Sequence, residues 1–182
     1  MSSDSSAGSY DFAALGEESG ELERLQLQAR RSAELELQLL RRMGLKDGLD
    51  VLDLACGPGV ITRLIAESHP SSRVTAMDLN EALLEQAKSE AVAVGLNTIH
   101  FVRGDVYQPP LPEASFDFIY ARLLFQHLDQ PSKALDQVRR LLKPGGCLCI
   151  MDIDDDWLTL VPEPEGFRAF TQAAARAQAK QG

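Results

Sequence analysis

Positive charge is scarce in this chain. Of 182 residues, 18 are Lys or Arg against 27 Asp or Glu, a formal net charge of −9. No basic cluster is larger than Arg41-Arg42 or Arg139-Arg140, and a nucleic-acid partner, which asks for a basic face toward its phosphates, is not expected. Cysteine is scarce too: Cys56, Cys147 and Cys149 fall in apolar segments and do not form a disulfide framework. Cys147 and Cys149, two apart on one strand, read as small buried hydrophobes rather than a metal pair. No apolar run approaches the length of a membrane span, so membrane insertion is not expected. The serine-rich start lacks a basic region followed by an apolar core, and the expected location is cytoplasmic.

What is present is organised around one stretch, Val51-Leu-Asp-Leu-Ala-Cys-Gly-Pro-Gly59. Leu49, Val51, Leu52 and Leu54 form an apolar run of the kind buried on both faces of a parallel sheet. Ala55 to Gly59 follow as a turn of small residues, with glycines where a side chain would obstruct the backbone. Val60, Ile61, Leu64 and Ile65 then recur on one helical face before Pro70. Strand, glycine turn and helix together make a place where a ligand can lie on main-chain amides. The next apolar run, Val74 to Met77, closes on Asp78. That places a carboxylate at the end of the neighbouring strand, where a ribose would present its hydroxyls.

Two further signals are Gly104-Asp105 and Leu142-Lys-Pro-Gly-Gly146. With Asp53-x-Ala55-x-Gly57-x-Gly59 and Asp78 they stand in an order that resembles the class I S-adenosylmethionine-dependent methyltransferases, close to the small-molecule group that includes ubiquinone and menaquinone methyltransferases. The resemblance spans roughly Leu45 to Asp152. It implies an α/β fold, a Rossmann-like parallel sheet with helices on both faces, with S-adenosylmethionine as cofactor and a small-molecule methyl acceptor as partner.

Along the chain, Met1 to Ser9 lack apolar periodicity and read as a disordered tail. Residues 10–44 form an N-terminal region whose long helix, from about Glu18 to Met43, repeats Leu22, Leu25, Ala29, Ala33, Leu37 and Leu40. Residues 45–182 are the main domain. Asn80 caps a helix burying Leu83, Leu84, Ala87, Ala91 and Val94. Thr98 to Val102 reads as the third strand, with His100 a partly buried structural histidine. Phe116 to Tyr120 is the fourth strand, Leu123 to Leu128 a short helix, and Pro131 starts a helix burying Ala134, Leu135, Val138, Leu141 and Leu142. The fifth strand is Cys147 to Asp152, and a last helix runs from Glu165 to Lys180. Five strands are counted. The family resembled adds a final two-strand hairpin, so the domain reads as C-terminally incomplete, and an open edge beside the fifth strand predicts dimerisation or marginal solubility.

The resemblance also assigns roles. Ala55, Cys56, Gly57 and Gly59 would carry the aminoacyl part of the cofactor, Asp78 and Leu79 its sugar region, and Gly104, Asp105 and Val106 its adenine. Tyr120, Ala121 and Arg122 would line the methionine side, and the N-terminal region would fold over as a lid with Tyr10, Arg24 and Gln28 in contact. Asp53 either orders the glycine turn or meets the amino-acid ammonium. Asp105 has a second reading as a turn residue bonding its own backbone. His127 is the candidate general base, since its unperturbed pKa lies near neutrality; the alternative is a histidine packed on the short helix. Asp152 to Asp156, just past the fifth strand near the acceptor side, read either as a solvated acidic turn or as recognition of a cationic or hydroxylated acceptor. Trp157 either lines an acceptor pocket or covers the sheet end. No metal is expected, because Tyr120-Ala-Arg122 occupies the strand end where metal-dependent members carry a ligand acid. Two other readings stay open: a nicotinamide-dependent oxidoreductase, against which Thr62 replaces the third glycine of the dinucleotide fingerprint, and a non-catalytic methyltransferase-like binding module.

Overall fold

The computed structural model describes residue 27, residues 32–153 and residues 162–178, with side chains described to 173 in the last segment. A helix, α1, covers 32–42. Then follow β1 (Asp50–Leu54), α2 (Val60–Ser68), β2 (Arg73–Asp78), α3 (Glu81–Ala93), β3 (His100–Arg103) and β4 (Phe116–Arg122). A 3-10 turn (Phe125–His127), α4 (Pro131–Leu141), β5 (Leu142–Met151) and α5 (Phe167–Gln178) follow among the described residues.

The strands form one five-stranded sheet in the order β3-β2-β1-β4-β5, and every pairing is parallel. Alternation along each strand divides the core in two. Val51, Phe118, Tyr120 and Cys149 face Leu37 and Leu40 of α1 and Ile61 and Ile65 of α2. Leu52, Leu54, Ile119 and Ala121 face Val138 and Leu141 of α4. Burial on both sides explains why Val51, Leu52 and Leu54 of β1 are all apolar. At the amino end of the sheet, Lys143 Nζ lies 2.7 Å from both Asp50 and Asp117, and Arg73 pairs with Asp50. These charges tie β1, β2, β4 and β5 together at the end away from the glycine turn.

Several expectations are corrected. Val94 is 58% exposed, because α3 has ended and the chain is turning through Gly95. Leu135 lies outside the buried arc of α4, which is Ala134, Val138 and Leu141, and Leu142 is half-buried as the first residue of β5. Thr98 lies in a turn, and His100, which opens an edge strand, is exposed. The helix expected over Leu123 to Leu128 is one 3-10 turn. Lys143 to Gly146 lies within β5, where the register shifts between Phe116 and Phe118; a Cβ on Gly146 would come within 3.0 Å of Phe116 O. Among the described residues no helix is long and apolar enough to cross a membrane.

Candidate active site

The turn after β1 holds three left-handed residues in five: Ala55 (φ 60°), Gly57 (φ 54°) and Gly59 (φ 68°). Hydrogen bonds lock it: Cys56 N donates to Met77 O on β2 at 3.0 Å, and Gly59 N to Cys56 O at 3.0 Å. The two glycines serve different ends. A Cβ at Gly59 would lie 2.8 Å from Ala87 Cβ, whereas one at Gly57 would meet nothing within 4 Å. Gly59 lets α3 pack against the turn; Gly57 faces open space. Helix α2 starts at Gly59 with no side-chain cap and no acidic residue in its first turn, which suits an anionic group on its amides.

Asp78 crosses from β2 to this turn. Its Oδ2 accepts Gly57 N at 2.8 Å and its Oδ1 accepts Asn80 N at 2.8 Å. A carboxylate offers about four lone-pair sites, so Asp78 keeps room for a further donor. Burial pushes the Asp78 carboxyl upward, against the amides of Asn80, Gly57 and Leu79. Leu79 is 51% exposed beside it. Cys56 is half-buried, its thiol pushed up by burial and by the charges of Asp53 and Asp78.

Asp53 lies beneath the turn rather than on it. It is 2% exposed and accepts the hydroxyl of Thr62, itself fully buried on α2. The position where the dinucleotide fingerprint wants a glycine is thus filled by a side chain that holds β1 to α2. Burial pushes the Asp53 carboxyl up to about 6, against the Thr62 bond, with Asp78 and Glu36 adding and Arg122 opposing.

That shift has a pH consequence. A group bound more tightly to its proton in the native chain adds stability below its unfolded pKa of ~3.9 and loses it as pH rises through about 6. Asp50 and Asp117 are held low instead; burial opposes Arg73 and Lys143 at the first, and Lys143 leads at the second. Their contribution is lost only as pH falls below the ordinary Asp range. Asparagine at 53 can still accept the Thr62 hydroxyl. The urea midpoint of the wild type should therefore fall from about pH 4 to pH 6 more steeply than that of Asp53→Asn; parallel profiles would show that Asp53 titrates normally.

At the end of β3, Gly104 N donates to Asp78 O at 3.0 Å, and a Cβ there would strike Pro110 Cδ at 2.6 Å and Met77 Sδ at 2.7 Å. Asp105 Oδ1 accepts Tyr107 N at 2.9 Å, which is the turn reading. Val106 is half-buried against the second core cluster.

The carboxyl end of β4 divides. Ala121 is fully buried on the α4 face. Tyr120, 1% exposed, donates its hydroxyl to Glu36 Oε2 of α1 at 3.0 Å; burial and the Glu36 charge push its phenol upward. Arg122 donates Nε to Glu36 Oε1 at 3.1 Å and Oε2 at 3.0 Å, with Ser32 also bonded to Glu36. Glu36, 3% exposed, is a site residue that the sequence reading missed. Its signal was there: it lies three residues after Ala33 and four before Leu40, a charge on the apolar arc. A cleft of about 640 Å³ opens beside it, lined by Leu27, Leu35, Leu39, Arg122, Met151 and Asp152 among others. His127 is half-buried in the 3-10 turn and is not among the lining residues; burial lowers its pKa and the Asp152 charge opposes this. Tyr10, Arg24, Gln28 and Trp157 lie outside the described residues.

The glycine turn, the carboxylate one strand over and the sheet order coincide with a family model described as a methyltransferase domain, which matches residues 52–150. The chain belongs to this methyltransferase family. Among its relatives, a demethylmenaquinone methyltransferase of Geobacillus stearothermophilus is 28% identical over 140 residues, 76% of this chain and 57% of that protein. A sterol 24-C-methyltransferase of Gibberella zeae is 37% identical over 112 residues, 61% of this chain and 29% of that protein. The crystal structure of a SAM-dependent methyltransferase from Aquifex aeolicus superposes with a TM-score of 0.70 at 26% identity, covering 80% of this chain and 78% of that one. The chain spans 39%, 29% and 43% of the length of three curated relatives that it matches.

Proposed function

We propose that this chain transfers a methyl group from S-adenosylmethionine to a small-molecule acceptor. The observation that carries this is the open Gly57 turn, with the Asp78 carboxylate beside it keeping accepting capacity. The residues fit the cofactor. Asp78 would take the two ribose hydroxyls in charge-assisted bonds. The amides at the start of α2 would take the aminoacyl carboxylate, with Ala55, Cys56 and Gly57 beneath it. Leu79 would cover one side of the adenine, and Asp105 Oδ2 with the Val106 amide would meet its edge. Arg122 closes the methionine side.

When bound, S-adenosylmethionine supplies a methyl group already activated on a sulfonium. The chain's own task is then position: holding donor and acceptor in line can lower a barrier by roughly 7–11 kcal/mol. The ubiquinone and menaquinone group is one home for the reaction, supported by the Geobacillus relative. An oxidoreductase reading loses ground because Thr62 fills the third-glycine position and bonds Asp53. Thermal shift separates the two. S-adenosylhomocysteine should raise the melting temperature and NAD should not; the opposite pattern overturns the assignment.

A further inference from the structure

The cleft between α1 and the carboxyl ends of β4 and β5 contains three charged groups among its described lining residues, and two of them cancel. Glu36 and Arg122 form a close pair through Nε. The third is Asp152, directly after β5. Its Oδ2 accepts Phe125 N at 2.9 Å and Gln126 N at 3.3 Å, which fixes the 3-10 turn. Its Oδ1 is buried and has no hydrogen-bond partner among the described residues. Shielding a carboxylate oxygen from water without a donor is costly, and native structures seldom do it without a reason.

The surrounding wall is apolar. Leu35, Leu39, Leu123, Met151 and Ile153 line the cleft, and Leu35 and Ile153 are 72% and 53% exposed. Leu123 is held at φ 50°, a left-handed conformation that leucine rarely adopts. Strain of this kind gathers at ligand sites. A carboxylate entering here would meet the Asp152 charge, while Arg122 is engaged by Glu36 through Nε and approaches Ser32 Oγ through Nη2 at 3.5 Å. A cation with an apolar body would meet the one charge left unbalanced.

We propose that the Asp152 carboxylate receives an N–H from an apolar amine, which makes the ligand of this cleft a hydrophobic cation rather than an organic acid. On the reading given above, that amine is the methyl acceptor. Asp152 acts here as a binding and orienting group.

Octylamine, octanol and octanoate share one tail and differ in head group, so their titration into the full chain by calorimetry at neutral pH and low salt tests this. Octylamine should bind about tenfold or more tighter than octanol, with octanoate weakest. Asp152→Asn keeps an oxygen for the Phe125 amide and turns an N–H toward the cleft. In a folded variant the amine preference should vanish and octanoate should gain. S-adenosylhomocysteine, titrated separately, reports on the cofactor reading alone and should bind Asp152→Asn as it binds the wild type. A wild type that prefers octanoate, treats the three heads alike or binds none of them overturns the proposal without the variant. An amine preference that survives Asp152→Asn overturns it as well.

Discussion

Glu36→Ala should destabilise the fold by about 3–5 kcal/mol, the usual cost of removing one partner from a buried ion pair. The carboxylate is 3% exposed and accepts from Arg122, Tyr120 and Ser32 together. Its loss strands a guanidinium whose side chain is 15% exposed and a phenol whose remaining partner among the described residues is the thioether of Met151, at 3.8 Å. Since a domain of this kind has roughly 5–15 kcal/mol in total, the variant should stand near its unfolding threshold at room temperature. Glu36→Gln, which keeps the acceptor oxygen, should lose less. The double change Glu36→Leu with Arg122→Met should recover most of the loss, because replacing both partners by apolar groups avoids the stranded charge. Urea denaturation reads all three. A Glu36→Ala midpoint equal to that of the wild type would show that α1 is not anchored through this pair.

Asp78→Ala should weaken S-adenosylhomocysteine binding by about 1.5–3 kcal/mol, the range for hydrogen bonds to a charged group, or roughly 10- to 150-fold in affinity. From sequence alone, Asp78 reads as a ligand residue at a strand end. The structure adds a second duty, because the same carboxylate holds Gly57 N and Asn80 N. Alanine therefore loosens the turn as well as removing the sugar's partner, and some fall in melting temperature should accompany the lost affinity. Asp78→Asn separates the two: its oxygen can keep one amide in place while the charge is gone. Affinity unchanged in calorimetry for both variants would remove Asp78 from the site.

The sheet was legible because each strand is an apolar run ended by a turn signal, and Asn80 and Pro131 mark helix starts through chemistry that acts locally. The glycine turn was legible as a motif. Its division of labour was not, since whether a Cβ fits at Gly57 or Gly59 depends on Ala87, nearly thirty residues further on. Asp53 had two readings, and burial beside Thr62 places it under the turn. Glu36 was hidden because its partners, Tyr120 and Arg122, come from a strand more than eighty residues away, so helical periodicity gave only an oddity. Val94 and Leu135 went wrong for a related reason: an apolar residue at about the right spacing is buried only where the neighbouring layer reaches it. Asp152 shows the same limit, for its orphan oxygen exists only once β5 meets the 3-10 turn.

The most direct test is a crystal structure of the protein with S-adenosylhomocysteine. The sugar hydroxyls should lie on Asp78 and the aminoacyl half over Gly57 at the start of α2, with the cleft beside Arg122 left open. Density for the nucleoside at any other place, or a Gly57 turn closed over by side chains when the ligand is present, would contradict the account.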